Sequence, residues 1–254
     1  MIYKLLLLDL DDTLTPNLGM PPTAFVPSQN LLQTISESHR RIAISLCTGR
    51  DKKTVLDVVK TLELTTPQII EAGSKIIDTS GNTLWVQYIE KESVNMICSM
   101  LKNVKKSFSI IVDGEEIMDT IPTDHLDKIA VVFWYDLSLK ETELLYKQLS
   151  IRKDLHISHN TDRTGNTLSV THALGTKSHG VRKLLDLLHV KKEEVIGVGD
   201  GNNDKPLLLG CGLKIAMGNA TDELKRIADY VAPSVDDDGI VDVLYKFVLK
   251  KTGL

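Results

Sequence analysis

The sequence predicts an α/β fold in which a core with a parallel sheet is interrupted by an inserted α+β domain. Apolar runs such as 5–8 and 195–198 are typical of parallel strands that are buried on both faces. Strand and helix signals alternate at both ends of the chain, whereas closely spaced strand signals with two helices fill the middle. We therefore expect a core of residues 1–78 and 175–254 and an inserted domain of residues 79–174.

Periodicity and turn signals place the elements in order along the chain. In the first part we expect helices at 28–39, capped by Ser28, and at 54–62, and strands at 3–9, 41–47 and 68–71. In the middle we expect helices at 91–103 and 139–149 and strands at 76–78, 84–88, 108–112, 129–135, 156–159 and 167–171. The last part should hold strands at 194–199, 213–217 and 230–231 and helices at 177–188 and from 203, 221 and about 238.

Composition and charge exclude several classes of protein. With 30 basic and 34 acidic residues and a net charge of −4, the chain has neither a basic stripe for nucleic acid nor a polybasic membrane patch. Cys47, Cys98 and Cys211 lack metal-ligand spacing and are typical of reduced core residues. The apolar start is too short and too acidic for a signal peptide, and no run is long enough to span a bilayer. We expect a cytoplasmic monomer or homodimer that acts on a small molecule.

Two carboxylates, Asp9 and Asp11, stand directly after the first apolar run. Open α/β sheets bind their ligands at the carboxyl ends of the strands. Carboxylates so close together repel each other unless a cation lies between them, and oxygen ligands of this kind suit Mg²⁺. An acidic turn that caps the next helix is the plain alternative, so the interpretation depends on the rest of the chain.

Further polar residues stand at predicted strand ends or helix starts: Thr48-Gly49, Lys177 and the segment 199–204. If the sheet is parallel, all of these residues face one crevice. Phosphoryl transfer needs a nucleophile, a proton shuttle, a metal and groups that bind the phosphoryl oxygens. One carboxylate can attack phosphorus and another can move the proton, while a hydroxyl, a glycine N–H and a lysine can bind the oxygens. Asp200 can complete the metal site, with Asn203 or Asp204 close by.

In these motifs the chain resembles the haloacid dehalogenase superfamily, whose members are mostly phosphatases. The motifs follow the order of that family and are Leu5–Leu8 with Asp9-Leu10-Asp11-Asp12-Thr13, then Leu46-Cys47-Thr48, then Lys177, then Gly-Asp-Gly-Asn-Asn-Asp at 199–204. The resemblance covers essentially the whole chain. It implies a Rossmann-like three-layer core and Mg²⁺-dependent hydrolysis through an aspartyl-phosphate.

The resemblance also implies a role for each motif residue. Asp9 is expected to be the nucleophile and Asp11 the general acid/base. The implied Mg²⁺ ligands are the Asp9 carboxylate, the Asp11 backbone carbonyl and Asp200. The expected phosphate-binding residues are Thr48, Gly49, Lys177 and Asn203. Asp204 is expected to orient Lys177 or a metal-bound water.

The spacing of the motifs resembles that of one subgroup. Asp9 and Thr48 are 39 positions apart (48 − 9), a span that holds one loop and one helix, whereas Thr48 and Lys177 are 129 positions apart (177 − 48), which leaves room for an inserted cap. This resembles the class IIB cap of Cof-type and sucrose-phosphate phosphatases. It implies a small phosphorylated metabolite as substrate, with sugar phosphates as the leading class. Ala72 stands where Cof-type relatives usually have asparagine, so a sugar-binding role is not carried over to that position.

Two other functions stay open on the sequence alone. A phosphosugar mutase of the phosphomannomutase type shares the cap class, but it must keep water away from the phosphorylated aspartate. A non-catalytic phospho-aspartate switch combines similar residues in a much shorter domain without a cap. Arg50-Asp51 is either a surface pair or a substrate contact. In the inserted domain, the residues that can contact substrate but are more often turn or surface residues are Asp113, Glu115, Glu116, Asn160 and Arg163.

Overall fold

The structure, a computed structural model, describes residues 3–19, 24–103, 106–162 and 165–250, with the backbone alone at 160–162 and 165. The strands are β1 Leu5–Leu8, β2 Ala43–Leu46, β3 Gln68–Ile70, β4 Lys75–Ile77, β5 Thr83–Val86, β6 Phe108–Val112, β7 Glu115–Met118, β8 Ile129–Trp134, β9 Leu155–Asp162, β10 Gly165–His172, β11 Val195–Gly199, β12 Leu213–Ala216 and β13 Tyr230–Val231. The α-helices are α1 Gln29–Ser38, α2 Lys52–Thr61, α3 Lys91–Leu101, α4 Leu139–Leu149, α5 Lys177–Leu188, α6 Lys205–Leu209, α7 Asp222–Ile227 and α8 Gly239–Leu244. Among these described segments, we find no helix with the length and apolar character that crossing a membrane requires.

A parallel five-stranded sheet forms the centre of the core, in the order β13-β12-β11-β1-β2. β1 is an interior strand, so Leu5 pairs with Val195 on one side and with Ala43 on the other. The four leucines of β1 are fully buried, as expected for a strand covered on both faces. The predicted α/β fold with a parallel sheet is confirmed.

Helix starts in the core are fixed by side-chain caps. Ser28 caps α1 as predicted, by accepting a hydrogen bond from the N–H of Leu31. Asp51 caps α2 by accepting from the N–H of Thr54, so this helix begins at Lys52 and not at residue 54 as predicted. Thr176 caps α5, and its side chain accepts from the N–H of His179. This cap places Lys177 at the first position of α5.

An antiparallel sheet in the order β7-β6-β8-β10-β9 forms the inserted domain. One of its faces packs against α3 and α4 and carries a separate hydrophobic cluster, which includes Val94, Ile110, Trp134 and Leu145. The sequence interpretation treated residues 113–116 as turn and surface and missed β7. Asp113 and Gly114 both have positive φ (50° and 91°), the geometry of a tight hairpin turn, so β7 folds back along β6.

The two chain segments that connect the core with the cap are joined by hydrogen bonds at Ser74. The N–H of Gln87 donates to the carbonyl of Ser74 (2.8 Å), and the Ser74 hydroxyl donates to the carbonyl of Gly175 (3.1 Å). β5 pairs with β4, and its Trp85 packs on the core cluster, whereas the cap cluster begins at Ile89. The domain limits stay a prediction, and this packing favours a first boundary after Val86 and not after residue 78.

Candidate active site

The carboxyl ends of three neighbouring parallel strands bring the motif residues to one edge of the core sheet. Asp9 follows β1, Thr48 lies two residues beyond β2, and Asp200 follows β11. A cavity of about 410 Å³ opens at this edge between the core and the cap. The predicted site residues that line it are Asp9, Asp11, Thr48, Gly49, Asp200 and Asn203. The structure therefore brings these residues together as the motif order predicted.

Lys177 lies beneath the cavity wall and joins two carboxylates. Its Nζ is 2.7 Å from Oδ1 of Asp9 and 2.6 Å from Oδ1 of Asp204, and its side chain is only 5 % exposed. Burial opposes the charge of this ammonium, but Asp204 and Asp9 outweigh burial and hold the pKa of Lys177 well above its usual value. Lys177 is therefore a fixed positive charge directly beside Asp9.

Asp204 fixes both Lys177 and the loop after β11. Its Oδ1 accepts from Lys177, and its Oδ2 accepts from the N–H groups of Asp200 (3.1 Å) and Gly201 (3.0 Å). A Cβ at Gly199 would lie 2.5 Å from the Cβ of Asp204, so this close approach requires glycine. These contacts fit the orienting role that was expected for Asp204.

Three carboxylates lie close enough together that they could hold a metal ion. Asp9, Asp200 and Asp204 offer ligand atoms within 4.8 Å of one another. Burial, followed by repulsion from Asp204, raises the pKa of Asp9 to about 7 and that of Asp200 to about 9. When all three acids are ionised, Lys177 leaves a formal charge of −2 in this cluster. Carboxylate oxygens under this mutual repulsion fit a divalent cation such as Mg²⁺.

Thr13 adds a further link between the first and the last motif. Its hydroxyl donates to Oδ1 of Asp200 at 2.7 Å, and the Thr13 side chain is fully buried. The contact orients the Asp200 carboxylate toward the end of β1. The threonine of the first motif is therefore a positioning residue for a candidate metal ligand.

Arg50 holds the side chain of Asp11 in a bidentate ion pair. Nε of Arg50 donates to Oδ2 of Asp11 (2.8 Å), and Nη2 donates to Oδ1 (2.7 Å). The N–H of Leu18 donates to the same Oδ1 (2.9 Å). Arg50 is 8 % exposed and does not form a surface pair with Asp51, so that interpretation of Arg50-Asp51 is wrong. Because the Asp11 carboxylate faces Arg50, the predicted metal contact of Asp11 would use its backbone carbonyl.

Three residues of the cavity wall can bind phosphoryl oxygens. The Thr48 hydroxyl oxygen accepts from the N–H of Arg50 (3.2 Å), which leaves its hydrogen to donate to a ligand. Gly49 presents backbone to the cavity. The buried Oδ1 of Asn203 has no hydrogen-bond partner among the described residues. Because the N and O atoms of an asparagine amide are interchangeable by a flip, this side chain can offer a donor or an acceptor to a ligand.

The cap lies directly over these residues. The ring of Phe133 from β8 reaches the loop after β2, and its Cζ lies 3.7 Å from the position of a Cβ added at Gly49. Arg50 in the core attracts Glu116 in the cap across the cavity. Of the cap residues considered from sequence, Glu116 lines the cavity, Glu115 is exposed, and exposed Asp113 pairs with Lys128. The side chain of Asn160 and all of Arg163 lie outside the described residues.

The sequence did not identify Phe133 and Tyr135 as cavity residues. It also did not predict the strand β7, which contains Glu116. An available signal for Glu116 was the Asp113-Gly114 pair, which marks a tight hairpin between alternating strands. No sequence signal shows which face of the cap sheet turns toward the core.

Comparisons with known proteins agree with this fold and site. The family model for haloacid dehalogenase-like hydrolases matches the chain over residues 6–131 and 115–244. The 5-amino-6-(5-phospho-D-ribitylamino)uracil phosphatase of Bacillus subtilis is 24% identical over 249 residues, which cover 97% of this chain and 96% of that protein. The phosphoglycolate phosphatase 1 of Saccharolobus solfataricus is 39% identical over 85 residues, which cover 34% of this chain and 37% of that protein.

Solved structures share the complete architecture. A haloacid dehalogenase-like hydrolase from B. subtilis superposes with a TM-score of 0.82 at 19% identity, covering 96% of this chain and 99% of that one. A HAD subclass IIB sugar phosphatase superposes with a TM-score of 0.78 at 20% identity, covering 96% and 98%. At these identities the likeness establishes the fold alone. With the family match, the chain belongs to the haloacid dehalogenase-like hydrolases. Within them it is a phosphatase, as the resemblance of its four motifs implied.

Proposed function

We propose that this phosphatase hydrolyses the phosphomonoester of a small metabolite, with sugar phosphates as the leading class, through an aspartyl-phosphate on Asp9 and with Mg²⁺. The observation that carries the proposal is the ion pair between Lys177 and Asp9 at the edge of the cavity between the core and the cap. A carboxylate oriented by a buried ammonium and open to a cavity on its other side has the arrangement of a nucleophile for phosphorus.

In the first step, an oxygen of Asp9 attacks phosphorus and the bond from phosphorus to the leaving oxygen breaks. Asp11 donates a proton to that oxygen, so the leaving group departs as a neutral alcohol. Lys177, the Thr48 hydroxyl and the Gly49 N–H bind the phosphoryl oxygens as charge builds on them. Both carboxylates line the same cavity, which supports their action on one substrate.

In the second step, the ionised Asp11 takes a proton from water. The water oxygen attacks phosphorus, the bond from phosphorus to Asp9 breaks, and inorganic phosphate leaves with the Asp9 carboxylate restored. The ion pair with Arg50 supports the role of Asp11 as the base in this step, because it holds the ionised carboxylate in one orientation.

Asp9, Asp200 and the backbone carbonyl of Asp11 are the proposed holders of Mg²⁺. When bound, the ion neutralises negative charge on the phosphoryl oxygens. The raised pKa values of Asp9 and Asp200 support this, because burial and repulsion from Asp204 disfavour both carboxylates, and a bound cation would offset that repulsion.

The size of the cavity and the relatives together support a small substrate. A volume of about 410 Å³ is in the lower range for small-molecule sites, which run from about 300 to 1,000 Å³. The relatives named above act on a phosphorylated ribityl compound and on phosphoglycolate. Both substrates are small phosphomonoesters, but their leaving groups differ in charge.

The first experiment measures phosphate release from a panel of phosphorylated sugars, polyols, nucleotides and phosphoglycolate, with Mg²⁺. Asp9→Asn is the matched control, because it keeps the shape of the side chain and removes the nucleophile. We expect release from a narrow set of compounds and none with Asp9→Asn. Release that survives in Asp9→Asn would contradict the covalent mechanism. Phosphate that moves to a second position on the sugar without release would identify a mutase, and a stable phosphate on Asp9 would identify a switch.

A further inference from the structure

The sheet of the cap has two chemically different faces. Ile110, Val132, Trp134, Leu168 and Val170 are buried on the face that packs against α3 and α4. Strand alternation turns their neighbours to the opposite face, over the active site. There a row of residues runs across all five strands in register: Met118, Ser109, Phe133, Ser169 and Ser158. All but Ser109 border the cavity directly, so the leaving group would meet hydroxyls and one aromatic ring.

Glu116 is held at one edge of this face by two hydroxyls. Ser109 donates to Oε1 of Glu116 at 2.6 Å, and the Tyr135 hydroxyl lies 2.8 Å from the Ser109 oxygen and 3.4 Å from the same Oε1. No hydrogen bond reaches Oε2 from any described residue. Tyr135 also stacks on Phe133, with ring centroids 6.1 Å apart and planes at 16°. Hydrogen bonds to Oε1 therefore fix the orientation of the Glu116 carboxylate, and Oε2 can still accept a hydrogen bond from a ligand.

The charges around the cavity are unfavourable for an anionic leaving group. The acids on the cap side of its described lining are Glu116 and Asp136, and the one basic side chain in that described lining is Arg50. Arg50 already donates to both oxygens of Asp11, to the carbonyl of Gly19 and to Asn17. A carboxylate on the leaving group would face Glu116, and the described lining holds no second cation to offset the repulsion between them.

Resting on the phosphatase function proposed above, we infer that Glu116, held by Ser109 and Tyr135, accepts hydrogen bonds from hydroxyls of the leaving group. The enzyme thereby selects an uncharged polyhydroxy leaving group and rejects one that carries a carboxylate or a second phosphate. Phe133 supplies an apolar face for the C–H groups of the same leaving group. Of the two kinds of substrate that the relatives' names describe, this selects the ribityl type over the phosphoglycolate type.

The test compares kcat/KM of the full-length enzyme for glucitol 6-phosphate and 6-phosphogluconate, with Mg²⁺. The two share one carbon chain and differ where a CH₂OH group replaces a carboxylate. We expect the wild type to prefer glucitol 6-phosphate by at least about tenfold. Glu116→Gln removes the charge at nearly constant shape and is expected to lower this preference about tenfold, mainly through faster hydrolysis of 6-phosphogluconate. Glu115→Gln, an exposed neighbour on the same strand, should keep the wild-type preference.

Equal or reversed preference in the wild type, or a preference that Glu116→Gln leaves intact, would overturn the role of Glu116 and leave the phosphatase function standing. Calorimetric binding of both compounds to Asp9→Asn measures the same preference without turnover. If the wild type releases phosphate from no member of the panel above, the proposed function fails, and the binding ratio then decides whether Glu116 discriminates against a carboxylate. If Glu116→Gln does not fold, Tyr135→Phe is the second variant. It removes the Tyr135 hydroxyl that contacts Ser109 and Glu116, and it should also lower the preference for glucitol 6-phosphate.

Discussion

Arg50 binds both carboxylate oxygens of Asp11, with N–O distances of 2.8 and 2.7 Å, across 39 residues of sequence. The two residues come from the ends of neighbouring parallel strands, β1 and β2. A planar guanidinium in this fork geometry fixes the orientation of a carboxylate, which a lysine ammonium does not do. The proposed acid/base is thus held by the residue directly after Thr48 and Gly49, the proposed phosphate-binding residues.

Replacing Arg50 with lysine should therefore slow the chemistry more than it weakens substrate binding. We expect kcat of Arg50→Lys to fall about 10- to 100-fold, because a small misplacement of a catalytic group has effects of this size. Steady-state kinetics on the best substrate of the panel measure the effect, with exposed Arg40→Lys as the control. A change in KM alone would mean that Arg50 binds substrate and does not position Asp11.

Replacing Asp11 with asparagine should separate the two chemical steps. With p-nitrophenyl phosphate, the leaving phenolate needs no proton, so Asp9 can still be phosphorylated. Hydrolysis of the phosphorylated enzyme still needs a base. Rapid-mixing measurements on Asp11→Asn should show a burst of about one equivalent of p-nitrophenolate per active site, followed by slow turnover. Steady turnover at the wild-type rate, without a burst, would contradict the assignment of Asp11 as the base.

Removal of the metal should abolish activity and lower thermal stability. Because Asp9 and Asp200 repel each other and Asp204, a bound divalent cation is expected to raise the melting temperature by about 2–4 °C or more. Thermal unfolding after chelation and after titration with Mg²⁺ measures this. Asp200→Asn should lose the response, whereas Asp237→Asn, in the exposed acidic run near α8, should keep it. Full turnover in excess chelator would rule out the metal.

Glu71 should make the fold less stable as the pH rises. The side chain is fully buried, and Lys75 Nζ lies 3.4 Å from its Oε1, longer than a good charge-assisted hydrogen bond. Burial therefore raises the pKa of Glu71 from 4.5 to about 7, although Lys75 opposes this shift. A carboxyl with a raised pKa in the folded state contributes stability that is present below pH 4.5 and is lost as the pH rises through 7.

Glu71→Gln should remove this pH dependence. Between pH 5 and 8, the unfolding free energy of Glu71→Gln is expected to rise relative to the wild type by about 3 kcal/mol at most. Urea unfolding at several pH values measures the difference, and exposed Glu115→Gln provides the control. Parallel curves for Glu71→Gln and the wild type would show that the buried pair stays ionised throughout this range.

The core and its motif residues could be predicted because their signals are local. Leu5–Leu8 and Val195–Gly199 are apolar runs that end in acids, and parallel pairing then brings distant strand ends to one edge. The pairing of Lys177 with Asp9 across 168 residues follows from that geometry and not from any local pattern. The start of α2 was misplaced by two residues, because the Asp51 cap was overlooked.

The cap side of the cavity could not be predicted for a physical reason. Alternation along β8 separates Phe133 and Tyr135 from Trp134, but either face of an isolated sheet could turn toward the core. The choice depends on how α3 and α4 cover the other face. The missed strand β7 begins with two glutamates and is only four residues long, too short for a periodic signal.

The position of β1 in the core sheet sets an order of assembly during synthesis. β1 needs β11 beside it, and the paired residues Leu5 and Val195 are 190 positions apart (195 − 5). The cap is an uninterrupted segment with its own hydrophobic cluster, so it leaves the ribosome complete while β1 still lacks that neighbour. The proposed nucleophile Asp9 and the carboxylate of Asp200 come together only after β11 has been made. A nascent chain that stops before β11 therefore holds the complete cap segment beside a core in which β1 lacks one of its two neighbours.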